Sequence, residues 1–439
     1  MKGRCLLKCL LLPFSIFILC NQSHARRIQP SLQPQNITTQ IELRKSHKSL
    51  SVPTIIAGIL CFVAGSISSA GGIGGGGLFV PVINIVAGLD LKTASIFSAF
   101  MVTAGSVANV LCNIYFKNPK YGGKVLTDYD IVLLSEPCML LGVSVGVICN
   151  IVFPEWLITV LFAVFLAWTT SKTCKTGLLY WKLESEEAIG NGSEASRDGC
   201  VIEEACEGSP EIAWKKVGVL VMIWFSFFAL QFIRGDKKRD DGKNIIQLEP
   251  YGNAYWIISA SQVPLAIIFT AWILYQTSAQ GHTSYKQEIG VPIRSPCPSN
   301  LVFPVMALLA GILGGIFGIG GGMLVSPLLL QLGILPEVTA ATCSFMVLFS
   351  SSMSATQYLL LGLEHRNEIA IFSIGSFLAS LVGLLVVQRA IMKYGRASLI
   401  VFSISTVMVL STVLITSFGT IHAWKDYTSG KYMGFKLPC

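Results

Sequence analysis

Residues Gly71 to Gly77 read GGIGGGG, and Gly314 to Gly322 read GGIFGIGGG. Each cluster interrupts an apolar stretch. Val52–Ala70 precedes the first and Leu78–Gly88 follows it; Leu301–Ile316 and Met323–Leu335 flank the second. Glycine has the highest backbone freedom and a low helix propensity, so such clusters break a helix rather than continue it. In a membrane chain, paired interruptions at corresponding positions of two halves point to a transport site.

The membrane class follows from composition. The 439 residues are 52% hydrophobic and 13% charged, with mean hydropathy +0.64. That charge is too sparse to cover a soluble surface. Several apolar windows of roughly 20 residues can each cross a bilayer as a helix. The expected fold is an all-α polytopic membrane protein with about 10 to 12 membrane segments. The net charge of +8 is read through the loops, where Lys and Arg set orientation, and not as a nucleic-acid footprint. The expected partners are the lipid bilayer and a small anion.

Residues 1–25 have a basic start (Lys2, Arg4, Lys8), an apolar stretch Leu10–Cys20 and the small-x-small site Ser23-His24-Ala25. They read as a signal peptide, with a retained signal anchor as the alternative; both deliver the chain to the secretory pathway. A polar lumenal or extracellular segment, 26–51, carries the glycosylation acceptor Asn36. Further segments follow: a first transmembrane repeat at 52–181, an acidic flexible loop at 182–213 and a connecting transmembrane pair at 214–276. A polar loop at 277–300, a second repeat at 301–417 and a polar tail at 418–439 complete the chain.

Sliding the chain by 245 residues (Gly320 less Gly75) puts Gly75-Gly76-Gly77 on Gly320-Gly321-Gly322 and Phe100-Met101-Val102 on Phe345-Met346-Val347. It also puts Ser106 on Ser351, so the halves read as homologous repeats, each opening with a glycine-broken helical hairpin. Basic residues orient them: Lys117, Lys120 and Lys124, then Lys172, Lys175, Lys182, Lys215 and Lys216, then Arg389, Lys393 and Arg396 are placed inside. With each hairpin returning to its own side, the repeats are inverted. Arg234–Lys243, with five basic residues, runs against this pattern because it falls outside.

The two stretches Gly71-Gly72-Ile73-Gly74-Gly75-Gly76-Gly77-Leu78-Phe79-Val80-Pro81 and Gly318-Ile319-Gly320-Gly321-Gly322-Met323-Leu324-Val325-Ser326-Pro327 are each followed by a span containing Phe-Met-Val. They resemble the sulfite exporter TauE/SafE family over about 52–417, and the leader and long middle loop resemble its plant branch. The resemblance implies a carrier for sulfite, organosulfonates or related small sulfur-containing or carboxylate anions. The acidic middle loop and the extra pair of spans depart from compact bacterial members.

The chemistry of the breaks fits an anion. A short helix beginning just after Gly77 would aim its first amides back at the break, with the positive end of the helix dipole behind them. Gly74, Gly75, Gly76 and Gly77, with Gly320, Gly321 and Gly322, are therefore the expected binding surface. Ser98, Thr103, Ser106 and Asn109 on one following span, and Ser344, Ser350, Ser351 and Gln357 on the other, are expected to complete it. Close helix packing is the competing reading of the glycines, and own-helix hydrogen bonding that of the hydroxyls. Gly142 and Gly146 form an isolated GxxxG that reads as packing. Glu136, followed by Pro137, is the clearest ionisable residue within a span; it is a candidate for a coupling proton, or an interfacial charge.

No GK[ST] follows the glycines, so they do not form a phosphate loop. No catalytic triad, paired acids or zinc spacing stands out; the chain reads as a non-enzyme, with neither cofactor nor metal implied. A secondary carrier of small anions by alternating access, with proton or counter-ion coupling, is the leading reading. An anion channel, and a membrane receptor or scaffold acting through the acidic loop, are the alternatives.

Overall fold

A computed structural model describes residues 52–69, 71–115, 126–190, 214–234, 253–279, 302–361, 365–394 and 398–428. Residues 1–51, where the leader and the acceptor Asn36 are expected, residues 191–213 of the expected acidic loop and residues 280–300 lie outside them. The described residues form twelve α-helices. The first half comprises α1 (Val52–Ser69), α2 (Gly76–Val86), α3 (Leu91–Tyr115), α4 (Tyr129–Val152) and α5 (Glu155–Gly190). The connecting pair is α6 (Trp214–Arg234) and α7 (Asn253–Ala279). The second half comprises α8 (Val302–Phe317), α9 (Gly322–Gln331), α10 (Pro336–Leu361), α11 (Arg366–Tyr394) and α12 (Ser398–Thr428). Nine of these helices are long and apolar enough to cross a membrane, and α2, α8 and α9 are shorter apolar helices. The protein is an all-helical, polytopic membrane protein.

Local chemistry explains where helices begin. Asp128 caps α4 by accepting from the amides of Asp130 (3.0 Å) and Ile131 (3.2 Å), as an N-cap carboxylate should. The helices α2 and α9 have no side-chain cap; Gly75 and Gly321 precede them in the left-handed conformation, φ +89° and +67°. Only glycine takes that conformation without strain.

Each broken element is a hairpin. Gly321, at the start of α9, lies beside Ala310, two turns back from the end of α8. Phe303, Met306 and Ala307 of α8 then share a cleft with Val325, Leu328 and Leu329 of α9, so the two arms run antiparallel. In the first half, Phe79 of α2 folds back to within contact of Gly65 on α1.

The halves interlock. The first arm of each hairpin runs parallel to the fourth helix of the opposite half. On α8, Leu308 and Gly311 meet Gly142 of α4, Ile312 and Gly315 meet Gly146, and Ile316 accepts from Asn150 at 2.6 Å. On α1, Gly58 meets Phe372 of α11, Gly65 meets Ala379 and Ser66 meets Gly383. The long helices α3 and α10 cross in the centre with 89% and 94% of their apolar windows buried. They run antiparallel, since Asn113 reaches Ser344 while Val102 and Ser351 both meet Gly320. The helices α5 and α12 are antiparallel too, pairing Thr159 with Gly419, Thr170 with Thr412 and Gly177 with Val401.

Several expected boundaries move. The helix α5 runs past residue 181, the expected end of the first repeat, to Gly190. The polar tail is helical to Thr428. Gly142 and Gly146 are not an isolated motif, because Gly311 and Gly315 form the facing pair on α8. Gly314 and Gly315 belong to that helix, and the second break proper is Gly318–Gly321.

Candidate functional site

The two breaks meet at the centre of the bundle. A Cβ on Gly76 would stand 2.9 Å from the Cα of Ile319, and Val102 of α3 lies against Gly74, Gly76 and Gly320 together. Gly77 is covered by Met323, and Gly322 by Val347. The helix α2 starts at Gly76, two residues earlier than expected, so Gly76 and Gly77 open its first turn; α9 starts at Gly322. All seven candidate glycines are buried. Their missing side chains leave room for backbone and neighbouring side chains in this conformation, which is the packing role. The N-termini of α2 and α9 lie close together, Gly77 against Met323, and neither has a capping side chain.

Prolines shape the first turns. Pro81 in α2 and Pro327 in α9 occupy matching positions, six residues into each helix. A helical proline leaves the carbonyl four residues earlier without its usual donor. For Pro81 that carbonyl belongs to Gly77, and the Ser411 hydroxyl of α12 donates to it. At the second break, Ser350 of α10 donates to the Gly320 carbonyl at 2.5 Å. Side chains from other elements thus satisfy backbone groups that lipid could not.

The expected polar residues are all buried, but they divide in two. Thr103, Ser106 and Ser344 donate to carbonyls of their own helices, those of Ala99 (2.7 Å), Thr103 (2.9 Å) and Ala340 (2.8 Å). Asn109 is held by Ser69, whose single hydroxyl proton is within reach of both the Asn109 Oδ1 and the Ser380 carbonyl. Gln357 donates to Ser144 at 3.2 Å, away from the breaks and toward α6, where Gln231 donates to the same hydroxyl at 2.6 Å. Ser98 and Ser351 differ, because their buried hydroxyls have no hydrogen-bond partner. Ser351 also touches the position where a Gly320 Cβ would sit, which puts an unused hydroxyl on the second break.

Sequence reasoning missed Ser69, Ser354, Ser376, Ser380 and Ser411. Ser376 donates to the Met101 carbonyl beside the first break, and the Ser354 and Ser380 hydroxyls are buried without partners. Their only signal was small polar residues recurring at helical spacing within apolar spans. Glu136 is wholly buried, and neither carboxyl oxygen has a hydrogen-bond partner. Lys92 caps the end of α4 by donating to the Ile151 carbonyl at 2.5 Å. Among the described residues no cluster of His, Cys, Asp and Glu could hold a metal ion.

Similarity to known proteins agrees with this architecture. The family model described as "Sulfite exporter TauE/SafE" matches residues 4–173 and 256–429. The stretch between the matches holds the acidic segment and α6. Arabidopsis thaliana sulfite exporter TauE/SafE family protein 2 is 60% identical over 407 residues, covering 89% of this chain and 88% of its own. Family protein 1 of the same plant is 54% identical over 453 aligned positions, 99% and 98% of the two chains. Family protein 5 is 56% identical over 417, 92% and 91% of the two. No solved structure matches.

Proposed function

The chain belongs to the sulfite exporter TauE/SafE family, and from that premise we propose that it is a secondary carrier of sulfite, organosulfonates or related small sulfur-containing anions. The observation that carries the reading is the meeting of two uncapped helix N-termini at Gly76 and Gly322 in the core of the bundle. A sulfonate or sulfite has several acceptor oxygens and one compact charge, which suits uncapped amides and the positive ends of two helix dipoles. Ser98 and Ser351 offer hydroxyl donors with nothing else to bond.

Alternating access fits the interlocked halves. Antiparallel pairing of α3 with α10 and of α5 with α12 is what an inverted repeat would give. The breaks close on each other backbone to backbone, which favours a carrier with an occluded centre over an open anion channel. Opening would separate one hairpin from the central crossing while the other stays packed. The carrier would reside in the plasma membrane or an endomembrane reached through the secretory pathway, and it would perform no covalent chemistry.

Reconstitution tests this. Purified protein in liposomes should exchange labelled sulfite for unlabelled sulfite and accumulate it against a gradient. Movement only down the electrochemical gradient would identify a channel, and no movement of any sulfur anion would overturn the reading.

A further inference from the structure

The fourth helices of the two halves, α4 and α11, differ in one wholly buried carboxyl. Gly146 of α4 and Gly383 of α11 occupy matching places, each packed against the first hairpin arm of the opposite half. Ten residues before them stand Glu136 and Ser373. Ser373 donates to the Ile369 carbonyl of its own helix at 2.7 Å. Glu136 has no partner for either oxygen and no exposure. An unpaired carboxyl buried inside a membrane bundle is costly to keep, which marks it as functional by default.

Its position is set by register. Met139, Gly142, Gly146 and Asn150 of α4 face α8, while Tyr129 and Ser144 meet α10. At 3.6 residues per turn Glu136 lies on the arc between those two sets. Met139, one turn further on, has its Cε against Gly321. Between the contacts Tyr129–Phe345 and Ser144–Gln357, Glu136 falls level with Ser350 and Ser351 of α10, the serines of the second break. Register therefore puts Glu136 one turn from Met139, which touches Gly321, while its counterpart on α11 is a serine.

We propose that Glu136 is the coupling-proton site, acting at the second break alone, and that proton and anion move together. The inference rests on the anion site proposed above. An ionised Glu136 would repel a sulfonate held at Gly320–Gly322, whereas the neutral acid would not. Proton uptake from water (carboxylate plus hydronium giving carboxylic acid plus water) and anion binding thus favour each other, and by linkage the effect is reciprocal. One proton with one monoanion leaves the loaded carrier's charge unchanged. Titratable groups on the helices packed against α4 do not replace this one. The arms α8 and α9 carry none, and α7 has Tyr255 and Tyr275. On α10, Tyr358 donates to the Gly315 carbonyl at 3.2 Å, Cys343 is a buried free thiol, and Glu337 lies in the first helical turn. On α6, Lys216 pairs with Asp130, Lys215 is the residue before it, and Arg234 is at the far end.

The experiment uses the full chain in liposomes with methanesulfonate, whose charge is fixed, because sulfite itself takes up a proton near neutrality. Wild type should accumulate methanesulfonate in the alkaline compartment, with apparent affinity rising by up to about tenfold per unit fall in pH for a one-proton linkage. Glu136→Gln should keep methanesulfonate exchange at equal pH, bind the anion with no pH dependence and lose gradient-driven accumulation. Glu136→Asp should restore accumulation in part. Accumulation by Glu136→Gln equal to wild type would overturn the proton site. So would loss of exchange as well as accumulation by Glu136→Gln protein that is inserted and thermally stable. If the Gln variant fails to insert, the Asp variant decides: unchanged pH dependence of affinity overturns the inference. Absence of exchange in wild type would instead remove the anion-site reading on which this one stands.

Discussion

The first and second breaks share a sequence pattern but are held differently. At the first, Ser69 ties α1 to Asn109 of α3 and to the Ser380 carbonyl of α11, and Ser411 reaches in to the Gly77 carbonyl. At the second, the position matching Ser69 is Gly314 and that matching Asn109 is Ser354, whose hydroxyl is buried without a partner. Ser351 and Glu136 there are also unpaired. Each break has a serine on a backbone carbonyl, Ser411 on Gly77 and Ser350 on Gly320, but the first has the further tie through Ser69, whereas Ser351, Ser354 and Glu136 on the second side are without partners. Buried groups without partners cost stability, so a site that keeps them holds them for something that binds. The second hairpin is thus the side expected to receive the ligand and to move.

The comparison breaks most completely at the glycines. Gly76→Leu would drive a side chain into Ile319, and Gly321→Leu would combine left-handed strain with collision against Met139 and Ala310. Each should cost roughly 2–4 kcal/mol and reduce exchange to background, read by thermal unfolding in detergent and by flux. Next comes the Ser69 tie. Ser69→Ala should cost about 1–3 kcal/mol, because Asn109 loses its partner in a buried place. The matching change Ser354→Ala should leave stability unchanged or slightly higher; equal losses at both would remove the asymmetry. Ser351→Ala should spare stability but lower apparent anion affinity by about tenfold, the equivalent of ~1.4 kcal/mol. Its counterpart Ser106→Ala, whose hydroxyl is spent on its own helix, should change affinity very little. The smallest effect is expected at the exposed pair Lys216–Asp130, 2.6 Å apart, where Lys216→Ala should cost under about 1 kcal/mol and less in high salt.

Much of this architecture was legible because it follows from length and glycine. Arms of 11 and 10 residues are too short to span, so α2 and α9 had to be parts of broken elements. The 245-residue repeat carries from the breaks to Ser106 and Ser351, but the fourth helices match at 237 residues (Gly383 less Gly146). A single sliding offset therefore hid the pairing of Glu136 with Ser373. The hydroxyls were harder to sort, since a helical Ser or Thr can bond the carbonyl a turn earlier, as Thr103 and Ser344 do, and spacing does not reveal this. Helix ends were misplaced for a different reason. Apolarity marks the bilayer's edge, and a helix with good formers, such as α5, continues beyond it into Glu184, Glu186 and Glu187. Ser411 and Ser376 were out of reach because their partners lie 334 and 275 residues away.

Those separations bear on how the chain is made. The α1 arm is completed by α11, and Ser69 meets Ser380 across 311 residues of sequence. At about 5–20 residues per second, synthesis leaves the serine face of α1 without its partner for roughly 15–60 s. During that interval Ser66, Ser68 and Ser69 must be sheltered by the insertion machinery or by intrahelical bonds such as Ser68 to the Ala64 carbonyl. Neither half can complete its packing before the other arrives, so truncation after the connecting pair should leave a chain that inserts, fails to mature and is degraded.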